Sequence, residues 1–452
     1  MSSVVGRETR LASRLALAAA LSVTVGCGTG EPTYRPDIVL VLADTVRGDS
    51  LGVAGYAQPT TPAIDALAAE GAYFANAYSH STWTKPSIAT LFTSNYTSRH
   101  GIGRQRLGED AAVSGVLSAD WPTLAEALSA AGYQTAAVVN QFHIQEKFGF
   151  AQGFEHFFWS RGHSAFRINR RFDRWLRQAD ERPLFAYLHY LDCHWPYSRG
   201  RKKFGDRFGS VGLDPAPPTS DSEADAWARD LDATDLAALR ARYDREVAFV
   251  DAAVRDLVAV LEARSRWRDT VLVVTSDHGE GFKEHDRLLH GFAPYREVVH
   301  VPLVIRLPER MGLRRGVIER PVGLIDLMPT LLDLADTPTP STVVGTSLRP
   351  LLEAPDEAPS SEIVIAEDTA ALSARDQRYT LLRFADGRTA FFDRQVDPSE
   401  VQPLEGPCRG RCAVLSGALD RHVERAQQAI GEGDSVSLSA EEIALLRSLG
   451  YL

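Results

Sequence analysis

The first strong pattern in the chain is an unbroken apolar run, Asp37-Ile38-Val39-Leu40-Val41-Leu42-Ala43. Consecutive apolar side chains point to both sides of an extended strand, so the run predicts a parallel strand covered on both faces. Thr135 to Val139, Leu184 to Leu191, Thr270 to Thr275 and Pro302 to Arg306 read the same way. Between these runs the period becomes helical. Thr61-Pro62 opens a helix with Ile64, Leu67 and Ala68 on one face and Gly71 at its end. Pro122 opens another, with Leu124 and Leu128 inward and Gly132 as its stop. Tyr243 to Leu261 is a long amphipathic helix. Strands alternating with helices predict an α/β domain whose central sheet is mostly parallel and sandwiched by helices.

Two stretches break this rhythm. Residues 197–233 are rich in Gly, Pro and Asp and read as an insertion or long loop. The turn-rich Thr337 to Thr346 divides a main domain, 37–336, from a smaller C-terminal α+β subdomain, 346–452. The latter carries strand-like Tyr379 to Phe384 and Thr389 to Phe392, then a closing helix from Glu441 to Leu449.

The N-terminus has a different pattern. Arg7, Arg10 and Arg14 precede an apolar stretch, Leu15 to Val25. It is too short for a membrane span, which needs about 20 residues, and fits a signal-peptide core of roughly 7–15. Gly26-Cys27-Gly28 follows and resembles a bacterial lipoprotein cleavage site, although Thr24 stands where such sites usually carry Leu. The expectation is a lipoprotein-type signal and anchor site over 1–27, lipidation at Cys27, and a tether over 28–36. The protein would then be exported, as a periplasmic or outer-membrane lipoprotein held to the membrane through Cys27. A simple cleaved signal is the alternative. Export makes a local disulfide between Cys408 and Cys412 plausible, while Cys193 has no evident partner.

Composition narrows the class further. With 44% hydrophobic and 24% charged residues, the chain can bury a large core. A net charge of -10, no extended basic run and no finger spacing exclude a nucleic-acid partner.

Ligands of open α/β sheets gather beyond the carboxyl ends of the strands. Asp44 ends the first apolar run. His189, Asp192 and His194 lie at the end of another, and Asp277 and His278 end a third. Carboxylates and imidazoles placed this way suit a divalent metal. A hydroxyl candidate, Thr84, lies in Ser81-Thr82-Trp83-Thr84-Lys85-Pro86-Ser87. Pro86 fits the first turn of a helix running to Phe92, which puts Thr84 at or just before its N-cap, where the helix dipole favours an oxyanion. Taken alone, this segment reads better as a capping Thr without chemistry.

From about residue 35 onward the chain resembles the sulfatase family of the alkaline phosphatase superfamily. The likeness rests on Asp37 to Ala43 followed by Asp44-Thr45-Val46-Arg47-Gly48-Asp49, on Thr60 to Tyr78, and on Asp192-Cys193-His194-Trp195-Pro196-Tyr197. It continues through Ser276-Asp277-His278-Gly279-Glu280, His300 to Ile305, Asp326 to Leu334, Asp397-Pro398-Ser399-Glu400 and Leu446 to Leu452. Classical members oxidise a Cys or Ser to formylglycine, with an Arg four residues on. Here those positions hold Thr84 and Ile88, so no formylglycine is expected. The family's Lys-Trp-His segment is absent, with Val139-Asn140-Gln141-Phe142-His143 after Gly132-Tyr133, and the second Asp of its metal pair is Thr45.

The remaining set, Asp44, Thr84, Asp277 and His278, looks like the Thr-nucleophile branch of the superfamily. That resemblance implies a divalent metal on these four residues, with zinc or manganese favoured over calcium. It implies a metal-bound Thr84 attacking an anionic sulfate or phosphate ester, with phosphoesters or phosphonates favoured. His194 and His290, the latter in Leu289-His290-Gly291, would assist the leaving group or hold a second metal. Asn140 and Arg47 are substrate-binding candidates, and Arg47 is also a candidate support behind the site. The rival readings are a phosphoethanolamine-type transferase and a non-catalytic binding lipoprotein.

Overall fold

The computed structural model describes residues 34–103, 113–209, 221–354, 363–428 and 435–443. The expected signal and anchor segment, 1–27 with Cys27, lies outside the described residues, as does most of the tether.

Eight strands form the central sheet. In chain order they are β1 (Asp37–Ala43), β2 (Gly71–Phe74), β3 (Gln134–Val139), β4 (His156–Trp159), β5 (Leu184–Tyr190), β6 (Thr270–Thr275), β7 (Leu303–Arg306) and β8 (Gly316–Ile318). Across the sheet the order is β8-β2-β7-β6-β1-β5-β3-β4. Only β7 runs antiparallel to its neighbours. The five apolar runs thus became strands within a residue or two of their predicted limits. The short strands β2, β4 and β8 lie toward the edges, where their sequences carry no comparable run.

Alternation along β1 shows why the sheet is covered twice. Ile38, Leu40 and Leu42 enter one core, whereas Val39, Val41 and Ala43 enter another. The first core is closed by α2 (Thr84–Thr93), α3 (Leu124–Ala130) and α6 (Leu327–Leu334), which contribute Ile88, Leu128 and Leu331. The second is closed by α1 (Pro62–Glu70), α4 (Ala165–Leu176) and α5 (Ala233–Ala263), through Ile64, Phe172 and Leu257. Truncating such a fully buried Leu to Ala costs about 2–5 kcal/mol.

Local signals explain the helix limits. Pro stands at the first position of α1. Thr123 and Glu126 form a capping box for α3, and Asp232 and Asp235 form one for α5. That second box starts α5 ten residues before Tyr243, so part of the expected 197–233 insertion is helix. Asp221–Asp230 is helical as well, while 210–220 lie outside the described residues.

The C-terminal region contains a four-stranded antiparallel sheet, β9 (Val364–Glu367), β10 (Ala371–Arg375), β11 (Tyr379–Phe384) and β12 (Thr389–Asp393). Helix α7 (Arg411–Gln428) packs on it through Leu415 and Leu419. Both strands expected here are present. The expected closing helix lies mostly outside the described residues. From Arg35 on, the chain forms one compact unit, so 37–336 and 346–452 are parts of one body. A Cys408–Cys412 disulfide is present and Cys193 is free and buried. Among the described residues no helix is long and apolar enough to cross a membrane.

Candidate active site

Register brings the candidate ligands together. Leu42 of β1 lies opposite His189 of β5 on one side and Thr275 of β6 on the other. Continuing each strand past this point puts Asp44 and Asp277 at one edge of the sheet. Asp44 donates its backbone N–H to Tyr190 O at 2.9 Å, which holds it at the end of the ladder. Asp44, Asp277 and His278 are fully buried, and one ligand atom from each lies within 4.8 Å of the others.

These residues pass a chemical test for a cation. Asp44 Oδ1 and Asp277 Oδ2 are buried with no hydrogen-bond partner among the described residues. Buried carboxylate oxygens rarely stay unsatisfied. His278 Nδ1 lies 2.9 Å from Gly279 O, and a carbonyl can only accept, so Nδ1 carries the proton and Nε2 is the basic nitrogen. Nε2 stands 3.4 Å from Asp277 Oδ2 and 3.3 Å from Thr84 Oγ1. Burial raises the pKa of both carboxyls. For Asp44 the hydrogen bond from His189 and the charges of His194, His189 and His278 outweigh burial, and its pKa is held below the usual range. For Asp277 burial and then the charge of Asp44 dominate, and its pKa is pushed up. Bound between them, a divalent cation would remove that repulsion. The donor set of two carboxylates, one imidazole and a hydroxyl fits a divalent cation.

Two supports of Asp44 come from β5 and from the segment that follows β3. Gln141 Nε2 donates to Asp44 Oδ2 at 3.0 Å, and His189 Nε2 donates to the same oxygen at 3.0 Å. Tyr187, two residues before His189 on the same face of β5, donates its hydroxyl to His189 Nδ1 at 2.8 Å. Both supports bond Oδ2, which leaves Oδ1 for the cluster. Asp277 Oδ1 is held likewise, by the N–H groups of His278 at 3.1 Å and Thr45 at 3.3 Å. Thr45 achieves this with φ of 62°, a left-handed conformation.

Thr84 is the first residue of α2, with Trp83 as the extended N-cap. The helix therefore begins two residues before the expected Pro86, and Thr84 lies inside it rather than before it. Its hydroxyl stands at the positive end of the helix, buried beside the carboxylate–imidazole cluster.

A second imidazole pair flanks the cluster. The His290 ring lies 4.3 Å from that of His278 and 5.2 Å from that of His194. His290 Nδ1 bonds Glu280 Oε1 at 2.9 Å, and His194 Nδ1 donates to Trp195 O at 3.0 Å. Glu280 also accepts from Tyr197 OH at 2.8 Å; burial pushes its carboxyl up to about 7 against the charge of His194 and the Tyr197 bond.

Arg47 is committed elsewhere. Its guanidinium bonds Asp49, Glu284 and the carbonyl of Glu280, and these two acids compensate its charge. It braces the backbone of Glu280, which matches support behind the site rather than contact with a substrate anion. Asn140 donates to His163 O, while the neighbouring Gln141 reaches Asp44. The buried Asn140 Oδ1 has no hydrogen-bond partner among the described residues. Of the eight site candidates, Asp44, Thr84, Asp277, His278, His290 and His194 are thus gathered together. Arg47 and Asn140 point to other partners. Gln141, Tyr187 and Glu280 are the residues that sequence reasoning did not single out, and His189, named there among the strand-end groups, serves as a support of Asp44. His189 had a signal, an imidazole ending an apolar strand; Gln141 had none beyond its place after β3.

A mostly parallel sheet with a carboxylate–imidazole cluster at its carboxyl edge is the arrangement of an ester hydrolase with a possible metal site. The family described as sulfatase matches residues 36–337, and the C-terminal region of N-sulphoglucosamine sulphohydrolase matches residues 286–411. This chain belongs to the sulfatase family. The ulvan-active sulfatase of Formosa agariphila is 26% identical, over 89% of this chain and 83% of its own length. An arylsulfatase of Clostridium perfringens is 25% identical, over 89% and 97%. The crystal structure of the phosphonate monoester hydrolase of Agrobacterium radiobacter has the same fold, with a TM-score of 0.71 at 23% identity, covering 90% of this chain and all of that one.

Proposed function

We propose that this chain hydrolyses sulfate or phosphate esters through Thr84, with phosphoesters or phosphonates favoured, and with zinc or manganese held by Asp44, Asp277, His278 and Thr84. The observation that carries the reading is the convergence of Thr84 Oγ1 and Asp277 Oδ2 on His278 Nε2, at 3.3 and 3.4 Å. When bound, the metal supplies Lewis-acid stabilisation of charge and lowers the pKa of a neighbouring hydroxyl.

The protein's own groups account for the remaining steps. Thr84 gives its hydroxyl proton to solvent as its Oγ forms a bond to phosphorus or sulfur. The bond to the leaving oxygen breaks, and that oxygen takes a proton from a protonated His290 or His194. Water then attacks the threonine ester, returns a proton to the same imidazole and releases the oxyanion, while Thr84 Oγ regains its proton from solvent. The Nδ1 bonds to Glu280 and to Trp195 O fix the two rings for this exchange. Asn140 remains a candidate for substrate contact, its Oδ1 able to accept from a substrate hydroxyl, and Arg47 acts as a support through the loop it braces.

Thr84→Ala should lose at least about 10³-fold in kcat while keeping its circular dichroism spectrum. Undiminished turnover would remove Thr84 from the mechanism. Assaying aryl sulfate, aryl phosphate, aryl phosphodiester and phosphonate side by side ranks the substrate class.

The export reading is carried by the Arg7 to Val25 pattern before Cys27 and is supported by the Cys408–Cys412 disulfide. Mass spectrometry of the mature N-terminus should find acyl groups on Cys27. An unmodified Cys27 or an earlier start would refute lipidation.

A further inference from the structure

The catalytic reading leaves unused a cavity of about 290 Å³ lined by Tyr96, Ile365, Ala418, Arg421, His422 and Arg425. Ala418, Arg421, His422 and Arg425 have the spacing of one face of α7. Arg421 and Arg425 are exposed, and neither forms an ion pair among the described residues. Asp420, on the adjoining stripe of the helix, is taken by Arg383 at 2.8 Å. His422 Nε2 bonds Glu367 Oε1 at 2.6 Å, so any charge on His422 is matched there. Among the described residues the cavity therefore keeps two guanidinium groups without an ion-pair partner, in a chain whose net charge is -10.

Guanidinium forks match tetrahedral oxyanions through paired N–H donors. We propose that Arg421 and Arg425, over His422 and Tyr96, form an accessory binding site for a tetrahedral oxyanion, sulfate or phosphate. The ion is either free in solution or carried as a second anionic group on the substrate. Glu367 links this cavity to the reaction site. Its Oε2 accepts from Ser98 N–H at 2.8 Å, and its backbone N–H donates to His80 O at 2.9 Å, four residues before Thr84. Glu367 also lines a separate cavity of about 190 Å³ together with Trp83, the N-cap of the nucleophile helix. The accessory site lies behind the segment that leads into Thr84, but it needs no assumption about which group is the nucleophile.

Two experiments test the site and separate the two sources. In the first, inorganic sulfate and inorganic phosphate are titrated calorimetrically into the full chain and into Arg421→Gln/Arg425→Gln. A free-ion site gives one more equivalent bound to the unaltered chain, or at least about tenfold tighter binding. In the second, an aryl ester is compared with an analogue bearing a second sulfate group. A substrate-borne group gives a KM that rises about tenfold in the variant for the doubly charged ester alone, with kcat unchanged. Arg421→Lys/Arg425→Lys should restore part of either effect, since the charge remains. Should the double Gln variant fail to fold, the single Arg421→Gln and Arg425→Gln proteins replace it. The proposal is overturned if the arginine substitutions change neither ion binding nor the KM of the doubly charged ester.

Discussion

Replacing His189 with phenylalanine removes one hydrogen-bond donor from Asp44 and the acceptor of the Tyr187 hydroxyl. The phenyl ring is somewhat larger than the imidazole, so no cavity opens beneath the site. Asp44 Oδ2 then retains only the Gln141 donor, at 3.0 Å, and the Tyr187 hydroxyl loses its acceptor. A hydrogen bond to a charged group contributes about 1.5–3 kcal/mol, which is roughly a 10- to 150-fold change in an equilibrium constant. Supporting residues behind metal ligands typically change metal affinity by about 10- to 100-fold. Both routes give the same expectation: His189→Phe should weaken zinc or manganese binding by one to two orders of magnitude. The buried, unpaired Tyr187 hydroxyl should cost a further 1–3 kcal/mol or so of folding stability. Competition with a chromophoric chelator measures the first effect and thermal unfolding the second. Gln141→Leu should weaken binding in the same direction, and the double variant should lose less or more than the sum, because both donors act on one oxygen. A folded His189→Phe protein whose metal affinity lies within about twofold of the unaltered chain would refute Asp44 as a ligand held through Oδ2.

The other predictions concern the same sheet edge and one site beyond it. Gly279→Ala would bring a Cβ within 2.1 Å of Glu297 O, so it should destabilise the fold by several kcal/mol, on the order of 3 or more, and loosen the metal site beside it; calorimetry and metal analysis check both. His290→Ala should lower kcat/KM by about 10²–10⁴-fold for alkyl esters but much less for 4-nitrophenyl esters, whose leaving group needs no proton; an equal loss on both would count against general acid catalysis. Burial pushes the Glu246 carboxyl up to about 8, although Gly200 N–H donates to it. A raised carboxyl favours the protonated fold, so its contribution is complete below the unfolded value near 4.5 and is lost as pH rises through about 8. Glu246→Gln should therefore flatten the pH dependence of unfolding, with a gain at pH 9 of on the order of 5 kcal/mol at most. An unchanged pH–stability profile would count against that shift.

The central strands were legible in the sequence because their burial is two-sided. A strand covered on both faces must be apolar at every position, and β1, β3, β5, β6 and β7 announce themselves in that way. The edge strands β2, β4 and β8 are short and carry no such run, and they become strands only by pairing with what is already there. The ligand residues were legible for a related reason. Asp44 follows an apolar run directly, Asp277 and His278 follow another after a single serine, and the ends of parallel strands share one edge. Helix limits were read well where caps are local, as at Pro62 and Gly132. They were read poorly at α5, whose start depends on the Asp232–Asp235 box inside a stretch of loop-like composition.

What the sequence by itself determined, then, is the layered α/β frame, the carboxylate and imidazole types at its carboxyl edge, and the hydroxyl of Thr84 near the start of a helix. Only the tertiary structure decided which polar side chains serve that edge. Gln141 and Asn140 are neighbours on the chain, yet one reaches Asp44, 97 positions away, and the other turns to His163. Arg47 carries the charge expected of an anion-binding residue, but Asp49 and Glu284 compensate it. Residue type and spacing fix what a side chain is able to do. Its actual partner depends on which strands register side by side, and that is set by burial across the whole sheet rather than by any local pattern.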